Sequence, residues 1–376
     1  MKSIPLLLMG CGGVGRQLLQ HIVSCRSLHA KQEIHLRVVG VCDSKSLVVA
    51  SDVFTRELND KFLSEVCRVK SNGLSLSKLA EFDECLIYSN SESKRKVIDI
   101  AALLGKSTGL AFVDCSASYE TIAVLNRVVD LGCCIVMANK KPLTSTLEDY
   151  DKLYSYPRRI RHESTVGAGL PVIASLNRIL LSGDPVHCII GSLSGTLGYV
   201  MSEVEDGKPL SEVVKTAKSL GFTEPDPRDD LSGMDVARKA LILARLLGRR
   251  INLDNIKIES LYPDEMRPDV MSVEEFLANG IKLLDNDVEE RVKKASLKGN
   301  VLRYVCVIEG SRCEVGIQEL SKTSPLGRLR GSDNVLEVYS RCYNEQPLVI
   351  QGAGAGNDTT AAGVLADILD IQDLFP

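Results

Sequence analysis

The chain has 376 residues, of which 44% are hydrophobic and 25% charged, the balance of a globular protein with about two to three domains. Its formal net charge is −4, it has no tryptophan, and only 5% of its residues are aromatic. These values argue against a nucleic-acid or anionic-membrane partner, which would require clustered positive charge or aromatic stacking. No apolar run reaches the roughly 18 residues of a membrane helix.

The cysteine and histidine patterns point to a reducing compartment. Twelve cysteines are scattered without a CxxC pair, and five histidines show no zinc-binding spacing. We therefore expect reduced thiols. The apolar segment Ile4–Met9 is too short for a signal-peptide core and leads directly into a glycine-rich stretch. We predict a cytoplasmic protein, or a plastid protein if a transit segment precedes this sequence.

In residues 1–145, short apolar segments alternate with stretches of helical periodicity. The predicted strands are Pro5–Met9, Leu36–Cys42, Cys85–Tyr88, Ala111–Cys115 and Cys134–Ala138. The predicted helices are Val14–Ser27, Leu47–Val66, Lys94–Leu104 and Tyr119–Leu131. Strand–helix alternation is typical of an α/β domain with a parallel sheet and right-handed crossovers.

The pattern changes to α+β after this segment, which predicts a second domain with a mixed sheet. Its predicted helices are Ile173–Leu181, Leu210–Ser219 and Met234–Arg249. Its predicted strands are Cys188–Leu193, Leu302–Ile308, Cys313–Glu319 and Val335–Ser340. The C-terminal segment Leu348–Leu374 again shows the pattern of a strand, a glycine loop and a helix. We therefore predict one domain over 1–145, completed by 348–376, and another over 146–347.

The first predicted strand ends in a G-x-G-x-x-G pattern that begins at Gly10. Gly10 permits a tight turn, Gly12 lets the backbone approach a pyrophosphate, and Gly15 lets a helix pack on the strand. The helix N-terminus, which includes Gly13 and Val14, presents free N–H groups to the phosphates. In this strand–turn–helix context the pattern predicts a Rossmann-type domain that binds NAD or NADP; a structural glycine turn is the alternative.

The acidic residue that closes the second predicted strand is Asp43. It follows Gly10 by 33 positions (43 minus 10), more than the usual spacing of about 20. We assign the extra residues to a loop at 29–33. A carboxylate at Asp43 favours NAD through the ribose 2′-hydroxyl, whereas Lys45 favours NADP by neutralising a 2′-phosphate. The sequence leaves this choice open.

An Asn-Lys-Lys turn that contains Lys140 follows the strand predicted at Cys134–Ala138. Ligands of doubly wound sheets bind at the carboxyl ends of the strands, where Ser116 would also lie after the neighbouring strand. Lys140 is therefore a candidate contact to both cofactor and substrate. Two solvated lysines in a turn are the alternative.

The helix predicted at Met234–Arg249 carries Asp235 and Lys239 one turn apart. On a helical wheel Lys239 lies in the apolar sector, whereas a different, solvated stripe is formed by Arg238, Arg245 and Arg249. Burial of an ammonium is costly unless it is paired or loses its proton, so this lysine is a candidate general acid/base. A buried structural ion pair is the alternative.

Several stretches together resemble the homoserine dehydrogenase family over essentially the whole chain. They are Gly10–Gly15, Ala138–Lys141, His162–Pro171, Ser194–Leu197, Gly221–Asp230, Asp235–Lys239 and Gln351–Gly356. The glycine loop is common to many families, but the run from Glu224 to Lys239 is highly specific. The resemblance implies reversible NAD(P)H-dependent reduction of L-aspartate 4-semialdehyde to L-homoserine, a branch-point step towards threonine, methionine and isoleucine.

The resemblance also implies roles on the substrate side. Lys239 would be the general acid/base at the substrate oxygen, and Lys140 would lie between nicotinamide and substrate. Glu224 and Asp235 would hold the amino-acid end of the substrate, and Thr196 would contact it as well. Two ammonium groups near the carbonyl oxygen would stabilise the charge that develops there during hydride transfer.

On the cofactor side, the resemblance places Cys115 and Ser116 by the nicotinamide and makes Gly356 the last glycine contact to the cofactor. It further implies a monovalent cation, typically sodium, held by one carboxylate and by backbone carbonyls. The matching positions are Glu163, Val166, Ala168 and Leu170.

Family members usually form homodimers through the second domain, so residues 146–347 are predicted to bind the small-molecule substrate and to dimerise. The chain resembles the dehydrogenase half of plant-type bifunctional enzymes without a kinase or regulatory domain, which puts control by threonine in doubt. Two rivals stay open. One is an aspartate-semialdehyde dehydrogenase with Cys115 as its nucleophile, and the other is a non-catalytic, cofactor-binding homologue.

Overall fold

The computed structural model describes residues 1–79 and 85–376 and divides the chain into two compact units. Unit 1 comprises Met1–Gly169 and Gly356–Pro376, and unit 2 comprises Leu170–Ala355. These boundaries differ from the predicted ones at 145/146 and 347/348. The reason is that a short strand at Ile160–Arg161 joins the first sheet, while the strand at Leu348–Ala353 joins the second.

Unit 1 is built on a seven-stranded sheet. Its strands are β1 (Lys2–Met9), β2 (Ile34–Cys42), β3 (Ser46–Ala50), β4 (Cys85–Ser89), β5 (Ala111–Asp114), β6 (Cys134–Met137) and β7 (Ile160–Arg161). The order across the sheet is β4-β3-β2-β1-β5-β6-β7. Neighbouring strands are parallel throughout the run β2-β1-β5-β6-β7. Strand β3 is antiparallel to β2, and β4 is antiparallel to β3. The predicted Rossmann-type sheet is confirmed, with an antiparallel extension at one edge.

Helices from both ends of the chain belong to unit 1. They are α1 (Gly13–Ser24), α2 (Arg26–Lys31), α3 (Asp60–Ser71), α4 (Asn90–Gly105), α5 (Thr121–Asp130), α6 (Leu147–Leu153) and the C-terminal helix (Asn357–Asp370). Short 3-10 segments lie at Leu76–Leu79, Pro142–Thr144, Pro157–Arg159, Glu163–Thr165 and Gln372–Leu374. The C-terminal helix packs against α1, and its Val364 and Ile368 share one apolar core with Leu6 of β1.

The helix predicted at 47–66 is wrong. Residues Ser46–Ala50 form β3, all five of them buried, and α3 begins only at Asp60. Because β3 lies between two other strands and is buried on both faces, its sequence shows no alternation, and such an apolar run is compatible with a strand or a helix. The strand predicted at Cys85–Tyr88 exists, but it is an antiparallel edge strand.

Unit 2 is built on a six-stranded mixed sheet, as predicted for the second domain. Its strands are β8 (Val186–Ser192), β9 (Lys257–Ile258), β10 (Asn300–Glu309), β11 (Arg312–Ser321), β12 (Asp333–Ser340) and β13 (Leu348–Ala353). The order is β13-β12-β8-β10-β11-β9, in which β9 is parallel to β11 and the remaining pairs are antiparallel.

Unit 2 contains the three predicted helices together with further ones. They are α7 (Val172–Leu181), α8 (Gly195–Glu205), α9 (Leu210–Ser219), α10 (Arg228–Leu231), α11 (Met234–Leu246), α12 (Val273–Glu275) and α13 (Asp285–Leu297). Shorter helical segments lie at Leu253–Asn255, Asp264–Met266, Phe276–Gly280 and Ile281–Leu284. The three predicted helices are α7, α9 and α11. Helix α8, whose sequence contains Gly195 and Gly198, was not predicted. Among the described residues, no helix has both the length and the apolarity to cross a bilayer.

Candidate active site

The glycine loop joins β1 to α1, and two of its glycines are required by the turn itself. Gly10 has a φ of +91°, and a Cβ at this position would lie 2.6 Å from the backbone nitrogen of Ser116. A Cβ at Gly15 would lie 2.0 Å from the carbonyl oxygen of Gly10. Only glycine therefore lets the first turn of α1 approach the end of β1 this closely.

Packing within the chain does not require a glycine at position 12, because a Cβ there would meet no atom within 4 Å. Gly12 is the N-cap of α1, and no side chain of the described part of the chain caps this helix. The N–H groups of the first turn, including those of Gly13 and Val14, thus have no partner within the helix. An uncapped N-terminus beneath open space is a cradle that fits the pyrophosphate of a dinucleotide.

A buried network connects Ser116 with the turn that carries Lys140. Asp114, fully buried at the end of β5, accepts hydrogen bonds from the Ser116 backbone nitrogen at 2.9 Å and from the Thr121 hydroxyl at 2.7 Å. The Asn139 amide donates to Asp114 Oδ2 at 3.0 Å and lies 3.2 Å from Ser116 Oγ. Neither Asp114 nor Asn139 was predicted as a site residue, although both flank predicted ones.

The two lysines of this turn differ in their surroundings. Lys140 is half-buried, and its carbonyl accepts hydrogen bonds from the backbone nitrogen and the hydroxyl of Thr144, both at 3.1 Å. Lys141 instead places its ammonium 4.3 Å from the centroid of the Tyr119 ring. The 3-10 turn therefore fixes the main chain of Lys140, while Lys141 makes a cation–π contact.

Asp43 lies in the turn between β2 and β3, where its carboxylate is already occupied. Oδ1 accepts the backbone N–H groups of Lys45 and Ser46 at 2.9 and 2.8 Å, and Oδ2 lies 2.8 Å from the ammonium of Lys70. Burial alone would raise the pKa of Asp43, but these hydrogen bonds lower it. The sequence did not predict Lys70, which comes from α3, 27 positions further along the chain.

Gly356, the last predicted cofactor contact, has a φ of +114° and precedes the C-terminal helix. The first residue of that helix, Asn357, lies against Gly13 of the glycine loop. Unit 1 therefore brings together the glycine loop, Ser116 and the segment that begins at Gly356. Cys115 joins them through its backbone nitrogen, which donates to Met9 at 2.8 Å.

In unit 2, Lys239 is buried, as the helical wheel predicted, with 8% of its surface exposed. Its ammonium donates to the carbonyl oxygen of Leu193 at 2.7 Å and lies 2.9 Å from Asp235 Oδ2. Leu193 follows β8 directly, so one strand end and one turn of α11 hold the amine. The solvated stripe predicted beside it is wrong for Arg245, which is 3% exposed and bonds to the carbonyl of Ile251.

Asp230 was not predicted as a site residue, yet it connects two that were. Its Oδ2 accepts the backbone N–H of Glu224 at 2.8 Å, and the side chain of Thr196 acts to lower the pKa of the same carboxyl. Burial raises the pKa of this carboxyl. Thr196 also donates to the carbonyl of Phe222 at 2.5 Å. Asp230 lies inside the sequence run that carries the family resemblance, which is the signal that could have identified it.

Three of the four predicted cation positions lie in unit 1, and Leu170 is the first residue of unit 2. Glu163 is 7% exposed, and its backbone nitrogen donates to Asp367 at 2.8 Å. Val166 is buried, and Ala168 has a φ of +55°. Within residues 1–79 and 85–376, no three His, Cys, Asp or Glu side chains are grouped so that they could hold a metal ion.

Comparison with known sequences gives the family. The homoserine dehydrogenase family model matches residues 171–369. A bifunctional aspartokinase/homoserine dehydrogenase from Haemophilus influenzae is 35% identical over 372 residues, which are 98% of this chain but 43% of that protein. The chain thus spans less than half the length of that relative. The homoserine dehydrogenase of Saccharomyces cerevisiae is 31% identical over 380 residues, 98% of either chain.

Solved structures agree with this result. A protein of unknown function from Candida auris superposes with a TM-score of 0.85 at 31% identity, covering 100% of this chain and 99% of the other. A hyperthermophilic archaeal homoserine dehydrogenase in complex with NADPH superposes with a TM-score of 0.71 at 22% identity, covering 100% and 99%, and shows likeness of fold. On the family model and the yeast relative together, the chain belongs to the homoserine dehydrogenase family.

Proposed function

We propose that this chain catalyses the reversible reduction of L-aspartate 4-semialdehyde to L-homoserine with NADPH, at the branch towards threonine, methionine and isoleucine. The observation that carries the proposal is the buried ammonium of Lys239. It is held between the Leu193 carbonyl and Asp235 in a chain that belongs to the homoserine dehydrogenase family. A cation fixed in this way is suited to act on a carbonyl oxygen that becomes negative during reduction.

Lys239 is assigned the proton transfer. NADPH, when bound, supplies the hydride. In the reducing direction Lys239 donates a proton to the aldehyde oxygen, and in the oxidising direction it takes the proton back from the homoserine hydroxyl. Asp235 and the Leu193 carbonyl keep the amine in place at 2.9 and 2.7 Å.

Lys140 is assigned a contact with both the nicotinamide and the substrate. Its turn is fixed through Asn139 and the buried Asp114, which also hold Ser116 at the end of β5. A second ammonium near the reacting oxygen would add to the stabilisation of negative charge. Rigid attachment matters because a small displacement of such a group is costly to the reaction rate.

Glu224 and Asp235 are assigned the binding of the substrate's ammonium group, because their negative charge is complementary to it. Thr196 is assigned a polar contact with the same amino-acid end. The half-buried Asp230 supports this assignment, because it fixes the backbone of Glu224. Asp230 acts in this scheme as a positioning residue.

NADP(H) is proposed as the preferred cofactor, with NAD(H) as the alternative. The glycine loop, with Gly10, Gly12 and Gly15, fits the dinucleotide, while Cys115, Ser116 and Gly356 are assigned to the nicotinamide side. The carboxylate of Asp43 is occupied by two backbone N–H groups and by Lys70, so it is a poor acceptor for a ribose hydroxyl. Lys70 and Lys45 beside it suit a 2′-phosphate.

A monovalent cation, sodium, is proposed at Glu163, Val166, Ala168 and Leu170, with carbonyl oxygens as most of its ligands. Thermal unfolding in sodium chloride and in choline chloride at equal ionic strength tests this assignment. Specific stabilisation by sodium is expected, and equal unfolding temperatures in the two salts would contradict it.

A homodimer formed through unit 2 is also proposed, together with a cytosolic location. Sedimentation that shows only monomer at micromolar concentration would contradict the dimer. The location is proposed because the twelve cysteines are all free thiols, the usual state in a reducing compartment.

The rival with Cys115 as a nucleophile is disfavoured by the surroundings of this thiol. Burial raises the pKa of Cys115, and the neighbouring Asp114 and Cys11 raise it further. A thiolate is the reactive form of cysteine, so this environment opposes nucleophilic attack. Aldehyde oxidation that depends on added phosphate would nevertheless restore this rival.

The decisive experiment is a spectrophotometric assay with aspartate semialdehyde and either NADPH or NADH. We expect oxidation of the reduced cofactor only when the aldehyde is present, and faster oxidation of NADPH. The Lys239→Ala variant is the negative control for turnover in this assay. Cofactor binding without turnover with either cofactor would leave the non-catalytic homologue as the better description.

A further inference from the structure

The side chain of Asn357 lies directly over the glycine loop. Its Nδ2, Oδ1 and Cγ atoms would be 2.5, 2.6 and 2.7 Å from a Cβ placed on Gly13. Because these three distances are nearly equal, the plane of the amide faces the position that a Cβ of Gly13 would occupy. Glycine at this position is what allows the amide to approach the first turn of α1.

The Asn357 amide has no partner of its own in this arrangement. Across residues 1–79 and 85–376, its side chain makes no hydrogen bond, and the residue is exposed. Its two N–H donors and its carbonyl oxygen are therefore open to a ligand in the loop. The space above Gly12 next to it is also open, since a Cβ there would meet nothing within 4 Å.

Asp358, the next residue, fixes the position of this amide along α1. Its Oδ1 accepts a hydrogen bond from Gln17 Nε2 at 3.1 Å and lies 2.7 Å from His21 Nε2. Gln17 and His21 lie one and two helical turns beyond Gly13, so the pair ties the start of the C-terminal helix to the side of α1. The approach of Asn357 to the loop thus has a second, independent anchor.

We propose that Asn357 is a further cofactor-contacting residue, whose amide donates a hydrogen bond to a pyrophosphate oxygen of the dinucleotide. Asp358 acts through it as a positioning residue. A pyrophosphate offers only acceptors, so an unpaired amide N–H is complementary to it. This inference rests on the proposed function, because it takes the glycine loop as the cofactor site.

The test measures the dissociation constant of NADPH from the fluorescence of the bound nucleotide. The protein has no tryptophan, so tryptophan emission does not interfere with this signal. Asn357→Ala is expected to raise the constant about tenfold, the scale of one hydrogen bond to a charged group. Asn357→Asp is expected to raise it further, and the excess is expected to shrink at high salt because it is charge repulsion. Asn344→Ala, at an exposed asparagine of unit 2, is the matched control and should bind like the wild type.

Two further measurements separate a phosphate contact from a structural effect. Adenosine 2′-monophosphate has no 5′-phosphate and therefore neither phosphate of the pyrophosphate, so its affinity should change less than twofold in Asn357→Ala. Asp358→Ala should raise the NADPH constant about threefold, and the double variant should be no worse than Asn357→Ala alone, because both act through one amide.

The outcomes are distinguishable. If Asn357→Ala is folded, as shown by an unchanged unfolding temperature, and binds NADPH within twofold of the wild type, the inference is wrong and the proposed function stands. Equal weakening of NADPH and of adenosine 2′-monophosphate would also overturn the pyrophosphate contact. A wild-type protein that binds no NADPH would remove the proposed function and the inference together.

Discussion

The glycine loop of unit 1 and helix α11 of unit 2 present their functional groups in opposite ways. The loop offers main-chain N–H groups, and Gly10 and Gly15 keep the backbone close enough to expose them. Helix α11 offers the charged end of Lys239, whose burial requires the partners Leu193 and Asp235. The glycine loop is therefore sensitive to added side-chain atoms, whereas helix α11 is sensitive to the loss of a charge. Different substitutions are needed to test the two regions.

The largest effect is expected in α11. Lys239→Ala should lower kcat by at least about a hundredfold, because it removes the acid/base and the charge beside the substrate oxygen. Affinity for NADPH should change little, since the glycine loop is untouched. Lys215→Ala, at an exposed lysine of the same unit, is the control. Turnover within tenfold of the wild type would remove Lys239 from the mechanism.

A loss of similar scale, about a hundredfold in kcat, is expected for Lys140→Ala, because a group that stabilises transition-state charge is removed. The adjacent Lys141 contacts the ring of Tyr119, so Lys141→Ala is a close control and should keep kcat within threefold. Equal losses in both variants would indicate that the turn as a whole, rather than one ammonium, is what matters.

In the glycine loop, Gly12→Ala should leave the unfolding temperature unchanged because its Cβ meets nothing within 4 Å. The new methyl group would occupy the space assigned to the pyrophosphate, so the NADPH dissociation constant should rise at least about tenfold, or about 1.4 kcal/mol. Gly15→Ala is the contrasting variant, since its Cβ collides with the Gly10 carbonyl and should destabilise the fold itself. Unchanged NADPH affinity in Gly12→Ala would argue against the cradle.

The smallest effect concerns the choice of cofactor. Lys70→Ala should lower the ratio of kcat/KM for NADPH to that for NADH about tenfold, the scale of one lost charge-assisted hydrogen bond. The variant also leaves Asp43 without its cation, which adds repulsion of a 2′-phosphate. Lys61→Ala, at an exposed position of the same helix, should leave the ratio unchanged. A ratio within twofold of the wild type would separate Lys70 from the phosphate.

The sequence predicted the parallel core of unit 1 because each strand there is a short apolar run bounded by a turn. It failed at Ser46–Ala50, where burial on both faces removes the alternation that identifies a strand. It also missed α8, because Gly195 and Gly198 are poor helix formers and the helix is stabilised by its contacts with β10 and β12.

For the site, the wheel predicted the burial of Lys239 correctly, since periodicity alone determines which face of a helix a residue occupies. It failed for Arg245, whose charge is satisfied by the chain that follows α11, including Ile251 and Asn252. Partners such as Leu193 for Lys239 and Lys70 for Asp43 come from distant segments. No local pattern encodes such pairings, so only the fold reveals them.

The shared core of the first and last segments has a consequence for how the protein is made. During synthesis, β1 and α1 leave the ribosome long before Val364 and Ile368, which belong to the same core but lie in the helix Asn357–Asp370. Unit 1 therefore stays incomplete until this helix has been translated. A nonsense mutation that removes the helix should accordingly destabilise β1 and α1, which were made much earlier.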